Sequence, residues 1–200
     1  MGRPRQFRIE DALEAAIECF SGMGYEATSI QDLMEATGIQ KGSLYSTFGG
    51  KEELFIQCLR HSWHQEKTYI EKELARSGNL VELSANLACQ SGFDVKTESM
   101  SPPHERRNFY RLMFHSIASG SDLMAGAHEM VEEIFQFFSE KIDEAQRSGQ
   151  VRGDLPASGI TRILLCHIVG GGLMCSRFGG AERDREIARL LCREMLALRS

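Results

Sequence analysis

Residues 29–51 read SIQDLMEATGIQKGSLYSTFGGK, and this stretch decides the fold. Ser29 can cap a first helix, and Asp32, three positions later, can complete a capping box. Gly38 can end that helix in the left-handed conformation without the steric penalty of a Cβ atom. The pattern predicts a short helix with a defined start and a defined end.

A second short helix is predicted directly after Gly38. Ile39 and Leu44 can anchor it to the first helix, which leaves other faces for Lys41, Ser43, Tyr45 and Thr47. Two short helices joined by a tight turn are typical of a helix-turn-helix, whose second helix enters the major groove of DNA.

The run GYEATSIQDLMEATGIQKGSLYSTFGGKEELF, residues 24–55, resembles the DNA-binding domain of the tetracycline-repressor (TetR) family of bacterial transcriptional regulators. The opening GRPRQF is similar to the arm that precedes the first helix in many members. The close match covers roughly the first quarter of the chain, and the remainder matches only in length and all-helical pattern.

This resemblance implies an all-α chain of about nine helices in two parts. Residues 1–50 would form a three-helix DNA-binding domain, and residues 51–200 a ligand-binding and dimerisation domain. Members are typically homodimers that bind a palindromic operator, mostly to repress, and release it when a small molecule enters the body. No cofactor and no metal are implied. Helix four, which runs from one part into the other, is expected to transmit the change.

The family resemblance also implies which residues contact DNA. The positions are Ser29, Gln31, Lys41, Gly42, Ser43, Tyr45, Thr47 and Lys51. Arg3 and Arg5 of the N-terminal arm are added to them as candidate contacts. Each has a structural alternative: Tyr45 could be a core aromatic, Lys51 a solvated lysine, and the arm a solubilising tail instead of a minor-groove contact. The family often has Ser or Thr where Gln40 stands, so the cap of the recognition helix differs here.

Composition is that of an ordinary soluble protein, with 42% hydrophobic and 26% charged residues among 200. The longest apolar run is too short to span a bilayer, so we expect a cytoplasmic protein with no membrane partner. The net charge of −5 does not favour DNA binding, and residues 1–51 alone carry five bases and seven acids, 5 − 7 = −2. The first eight residues, however, hold three arginines and no acid, so a local basic surface can coexist with an acidic chain.

Beyond the motif the hydrophobic periodicity predicts helices throughout. Their expected ranges are 9–23, 51–76, 80–93, 107–119, 123–147, 157–178 and 182–198, with a loop at 94–105 around Pro102-Pro103.

The last two helices carry apolar stripes that predict a homodimer through a four-helix interface. The stripes comprise Ile160, Leu164, Ile168, Gly171, Gly172 and Cys175, and then Ile187, Leu190, Leu191, Glu194 and Leu198. The alternative is that they pack on the chain's own core.

The body is expected to bind an organic, mainly apolar effector in a site formed by helices four to eight. The candidate contacts are aromatic residues, methionines and isolated histidines: Trp63, Phe93, Met113, Phe114, His115, Phe135, Phe138, His167 and Met174. The same residue types fill any helical core, so core packing is the alternative for each.

Six cysteines raise a second possibility, a regulator of the same fold that senses redox state or electrophiles through Cys58 or Cys89. Such a sensor needs an exposed thiol of low pKa, whereas a buried thiol acts as a small hydrophobe. An enzyme is not expected, because nucleophile-elbow, phosphate-loop and dinucleotide-binding motifs are lacking. An adaptor that kept the fold without binding DNA would leave the recognition-helix pattern unexplained.

Overall fold

The computed structural model describes residues 8–90, 104–118, 124–178 and 182–197, and within these ranges all regular structure is α-helical. The helices are α1 (Ile9–Met23), α2 (Ile30–Thr37), α3 (Lys41–Phe48), α4 (Lys51–Ser77), α5 (Leu80–Gln90), α6 (His104–Ala118), α7 (Met124–Arg147), α8 (Ala157–Phe178) and α9 (Glu182–Leu196). None of the described helices is long and apolar enough to cross a membrane.

Helices α1 to α3, called the head below, form a small core that α4 completes. The apolar face of α1 contributes Phe20, which is fully buried. Phe20 packs edge-on against Phe55 of α4, with 5.1 Å between ring centroids, and Tyr25 meets Phe55 at the same distance. Leu33 and Leu44 close this core from α2 and α3. The first turns of α4 therefore hold the head together.

Helices α5 to α9, called the body below, pack around the remainder of α4. Four rings form what we call the body aromatic cluster: Trp63, Phe109, Phe137 and Phe138. The Trp63 indole N–H donates to Glu133 Oε1 of α7 at 2.9 Å, so the buried ring keeps a partner for its polar atom. Helix α5 packs against both α8 and α9, and Arg193 of α9 forms a two-pronged ion pair with Glu82 of α5.

The observed helix bounds agree closely with the periodicity, with one clear exception. Helix α6 begins at His104, inside the predicted loop 94–105, so the expected start at 107 was wrong. Apolar periodicity detects a helix only from its first apolar positions, and the first apolar residue of α6 is Phe109.

The predicted dimer stripe of α8 also requires a correction. Ile160, Leu164 and Ile168 are buried in the chain's own core, which was the alternative interpretation of that pattern. Among the large apolar side chains described on α8, Ile163 is exposed, with 58% of its surface accessible. The side chains of Gly171, Gly172 and Cys175, and residue Leu198, lie outside the described part of the chain.

Candidate nucleic-acid interface

Helix α2 begins and ends as its sequence predicts. The Ser29 hydroxyl accepts a hydrogen bond from the Asp32 backbone N–H at 3.2 Å, and the Asp32 carboxylate accepts from the Ser29 N–H at 2.7 Å. The Ser29 hydroxyl also donates to the Asp32 carboxylate at 2.6 Å, and this bond, followed by the bond from the Ser29 N–H, lowers the pKa of Asp32 below its usual value. Gly38 ends the helix with φ 69° and ψ 12°, a left-handed conformation that glycine adopts without strain. The predicted capping box is confirmed.

The second helix of the motif, α3, is anchored on one side and exposed on the other. Leu44 is fully buried and Ile39, in the turn before α3, is 4% accessible, which confirms both as anchors. Tyr45 is 44% accessible and is therefore not a core aromatic. Gln40, at the N-cap, makes no side-chain capping bond, so the first turn of α3 keeps backbone N–H groups for other partners.

The predicted DNA-contact residues fall into three groups by their location. Lys41, Gly42, Ser43 and Tyr45 are all exposed along α3, with Thr47 half-buried behind them. Ser29 and Gln31, at the start of α2, already bond within their own helix, the amide of Gln31 donating to Glu35 Oε1 at 2.8 Å. Arg3 and Arg5 lie outside the described residues.

Lys51, the first residue of α4, is held in a specific position and is not freely solvated. Its ammonium lies 4.3 Å from the ring centroid of Tyr25 and donates to the Glu26 carbonyl oxygen at 3.5 Å. Burial, and then the charges of Glu52, Glu26 and Glu53, raise the pKa of Tyr25. Tyr25 thus places the Lys51 charge beside the turn that precedes α2. Sequence reasoning missed this role, although Tyr25 stands within the run that resembles the family.

The predicted effector residues do not form one group. Trp63 and Phe138 belong to the body aromatic cluster, and Met113 is buried. Phe135 lies beneath the Arg162 guanidinium of α8, 6.0 Å from its ring centroid. The half-buried Phe114 lies edge-on against the ring of His115, with 5.8 Å between the ring centroids.

The two predicted histidines lie at helix junctions. His167 Nε2 is 3.1 Å from the Ala188 carbonyl oxygen of α9, and the ring of His115 lies against Gly24 of the head. Phe93 is outside the described residues, and Met174 is in the part of α8 whose side chains are outside that description. Phe109 and Phe137, which complete the aromatic cluster, were missed because their spacing is that of any core.

Cys58 lacks the properties of a thiol sensor. Its side chain is fully buried, and burial, followed by the nearby Cys19, raises its pKa far above that of a free thiol. The reactive thiolate is therefore disfavoured at this position. Cys89 belongs to the part of α5 whose side chains are not described. Among the described residues, no group of three histidine, cysteine or acidic side chains is arranged to hold a metal ion.

Comparison with known proteins agrees with this geometry. The sequence pattern that defines bacterial regulatory proteins of the tetR family matches residues 12–58. The chain is 25% identical over 193 residues to the HTH-type transcriptional repressor ComR of Escherichia coli (strain K12), covering 94% of this chain and 88% of ComR.

Two solved structures share the fold. One is a cysteine mutant of the TetR family regulator CifR complexed with a 26-base-pair operator DNA, with TM-score 0.74, 23% identity, and 96% and 98% of the two chains covered. The other is FadR of Bacillus subtilis in complex with stearoyl-CoA, with TM-score 0.72, 14% identity, and 95% and 98% covered. At these identities the likeness establishes the fold alone.

Sequence, helix-turn-helix geometry and fold therefore agree. Residues 12–58 match the tetR family of bacterial regulatory proteins, and the described part of the chain has the fold of TetR family transcriptional regulators, which are DNA-binding proteins and not enzymes.

Proposed function

We propose that the protein is a homodimeric repressor that binds a palindromic operator and leaves it when a small molecule enters the body. The observation that carries the proposal is α3, which is anchored by Leu44 and presents Lys41, Ser43 and Tyr45 to solvent. Such a helix can enter the major groove while these side chains reach phosphates and base edges. The ComR repressor and the operator-bound CifR mutant support it by similarity. Operator DNA as the partner implies a cytoplasmic protein.

An exposed apolar face at the C-terminus supports the dimer. Ile187, Leu190 and Leu191 of α9 are about half accessible, and Ile163 of α8 is the most exposed of the large apolar side chains that the structure describes. Helices α8 and α9 pack against one another and are bridged by His167, so these four side chains belong to neighbouring helices. A face of this kind would be covered by the same face of a second copy about a two-fold axis.

The body supports an effector site beside the body aromatic cluster. The four rings of the cluster are buried, and two carboxylates bond polar atoms beside them: Glu133 accepts from the Trp63 indole N–H at 2.9 Å, and Glu66 accepts from the Tyr110 hydroxyl at 2.6 Å. Aromatic surface with a few fixed polar groups suits an organic, mainly apolar molecule. FadR, which shares the fold, was solved with stearoyl-CoA, an acyl compound with a long apolar chain.

Operator binding is tested with single substitutions on the exposed side of the helix-turn-helix. The probe is the duplex that the wild-type protein selects from a random-sequence pool, and the two half-sites should be separated by about 34–36 Å or a multiple. Tyr45→Ala should weaken binding, and Tyr45→Phe should show how much of that loss belongs to the hydroxyl. Lys51→Ala should also reduce the slope of log affinity against log salt by about one per head.

Lys72→Ala is the matched control, because Lys72 is an exposed lysine on the distant half of α4. It should change neither the affinity nor the salt slope. If Tyr45→Ala and Lys51→Ala both bind as the wild type does while remaining folded, the helix-turn-helix has no part in binding and the proposal fails.

A further inference from the structure

The body contacts the head directly at the end of α1. A Cβ atom on Gly24 would lie 3.0 Å from Cε1 and 3.2 Å from Nδ1 of His115, which projects from the last turn of α6. Gly24 itself has φ 84°, a conformation that side-chain-bearing residues rarely adopt. The imidazole therefore lies against bare backbone, in a space that no other residue would leave free.

The contact between His115 and Gly24 lies close to the start of the helix-turn-helix. The Gly24 carbonyl oxygen accepts a hydrogen bond from the Thr28 hydroxyl at 2.6 Å and from the Thr28 N–H at 3.2 Å. Thr28 precedes Ser29, the N-cap of α2. A displacement of the His115 ring would therefore shift Gly24. Through the two hydrogen bonds between Gly24 and Thr28, it would also shift the start of α2.

A second close contact joins the start of α7 to α4. A Cβ atom on Gly126 would lie 2.6 Å from Cδ1 of Ile56, so a residue with a Cβ atom fits here only if the Ile56 side chain moves. Ile56 is next to Phe55, which belongs to the head core. A shift of α7 would therefore displace the part of α4 that completes the head core.

The contacts between α4 and α7 continue at a regular spacing along both helices. Beyond Ile56 and Gly126, Arg60 pairs with Glu129 at 3.6 Å, and then the Trp63 indole donates to Glu133 at 2.9 Å. These pairs are separated by 70, 69 and 70 positions along the chain, so α4 and α7 run parallel and in step. Sliding α4 along α7 would break all three contacts together.

We propose that the head–body interface, formed by His115 on Gly24 and by Ile56 on Gly126, fixes the orientation of the helix-turn-helix relative to the body. His115, Ile56 and Gly126 are then positioning residues for operator binding, although none of them touches DNA. In a dimer this interface sets the spacing of the two recognition helices. The inference rests on the proposed operator binding and adds the contacts on which that binding depends.

The decisive experiment overfills the contact between α4 and α7 and then relieves it. Gly126→Ala adds the Cβ atom that meets Ile56 Cδ1, and Ile56→Val removes that Cδ1 atom and leaves the next neighbour at 3.3 Å. Gly126→Ala should weaken binding of the selected duplex about tenfold, since overfilling a packed contact shifts its neighbours. The double variant should bind as Ile56→Val alone does.

A control and a stability measurement exclude a general structural effect. Gly159→Ala, in the first turn of α8, places its Cβ at an ordinary 3.5 Å from Pro156 and should leave affinity unchanged. Alanine favours helices over glycine, so the unfolding midpoint of Gly126→Ala should not fall in parallel with its affinity. Normal binding by Gly126→Ala, or a double variant as weak as Gly126→Ala, would overturn the proposal.

A DNA-free measurement separates this inference from the proposed function. Hydrogen exchange should become severalfold faster at the Gly24 and Thr28 amides in His115→Ala, because the ring that holds this turn is lost. Unchanged exchange there would overturn the head–body interface even if the operator is bound normally. Failure of the wild-type protein to select any duplex would instead overturn the proposed function, and the exchange result would still decide the inference.

Discussion

The head and the body are held together by contacts of very different range. In the head, Ser29 and Asp32 cap a helix three residues apart, and Gly38 ends it. In the body, the bond from Trp63 to Glu133 spans 70 residues, and the ion pair from Arg193 to Glu82 spans 111. Short-range patterns can be read in a sequence, whereas pairs this far apart depend on how helices pack. The two regions meet at α4, which belongs to both.

The largest effect is expected where the head depends on α4. Phe55→Ala removes a fully buried ring that packs on Phe20 and Tyr25, and it should lower the free energy of unfolding by about 3–5 kcal/mol. Denaturant unfolding measures the loss. Met23→Ala, at an apolar side chain that is 46% accessible, is the control and should stay within about 0.5 kcal/mol. A small effect at Phe55 would mean that the head folds without α4.

A somewhat smaller effect is expected at the exposed apolar face of the body. Leu191→Glu would place an unpaired carboxylate in the proposed dimer interface, at a cost of about 3 kcal/mol or roughly a hundredfold in the dimer dissociation constant. Light scattering at micromolar concentration should then report a monomer. Leu155→Glu is a matched control, since Leu155 is a comparably exposed leucine outside this face. A wild-type monomer under these conditions would contradict the proposed assembly.

A local effect of intermediate size is expected at the cap of α2. Ser29→Ala removes the hydroxyl that accepts from the Asp32 N–H, and loss of such a cap costs about 1 kcal/mol. The change should appear as a lower unfolding midpoint and as faster amide exchange in the first turn of α2. Ser158→Ala, at an exposed serine in the first turn of α8, controls for removal of a hydroxyl near a helix start. Equal exchange in both variants would show that packing alone fixes α2.

The smallest effect concerns pH at the head–body interface. Burial, and then the charge of Arg111, lower the pKa of His115, so the folded protein binds this proton less readily than the unfolded chain. The contribution of neutral His115 to the free energy of unfolding is therefore constant above about pH 6.5, the ordinary pKa of histidine. This contribution is lost progressively as the pH falls below that value. His115→Gln should reduce the slope of unfolding free energy against pH in that range. His64→Gln, at an exposed histidine of α4, controls for removing an imidazole. An identical slope in wild type and His115→Gln would place His115 in solvent.

Much of the site was predictable because its determinants are local. The capping box, the end of α2 at Gly38 and the burial of Ile39 and Leu44 all follow from residues within one or two turns of one another. The position of Lys51 was not predictable in the same way. Its ammonium is held by Tyr25 and the Glu26 carbonyl oxygen, 26 and 25 residues earlier, and only the folded head brings them together.

In the body, the sequence determined where the helices begin and end, but not which of their faces are buried. Periodicity placed most helix bounds within a few residues, yet it could not distinguish Ile160, which is buried, from Ile163, which is exposed, as the outward side of α8. A helix between two layers is apolar on several sides, and the direction of each side depends on where its neighbours pack. The fold class, the helix-turn-helix and the buried anchors of its second helix were therefore set by the sequence alone. The contact of His115 with Gly24 and the register of α4 on α7 were decided only by the tertiary structure, because they join residues that no short-range pattern connects.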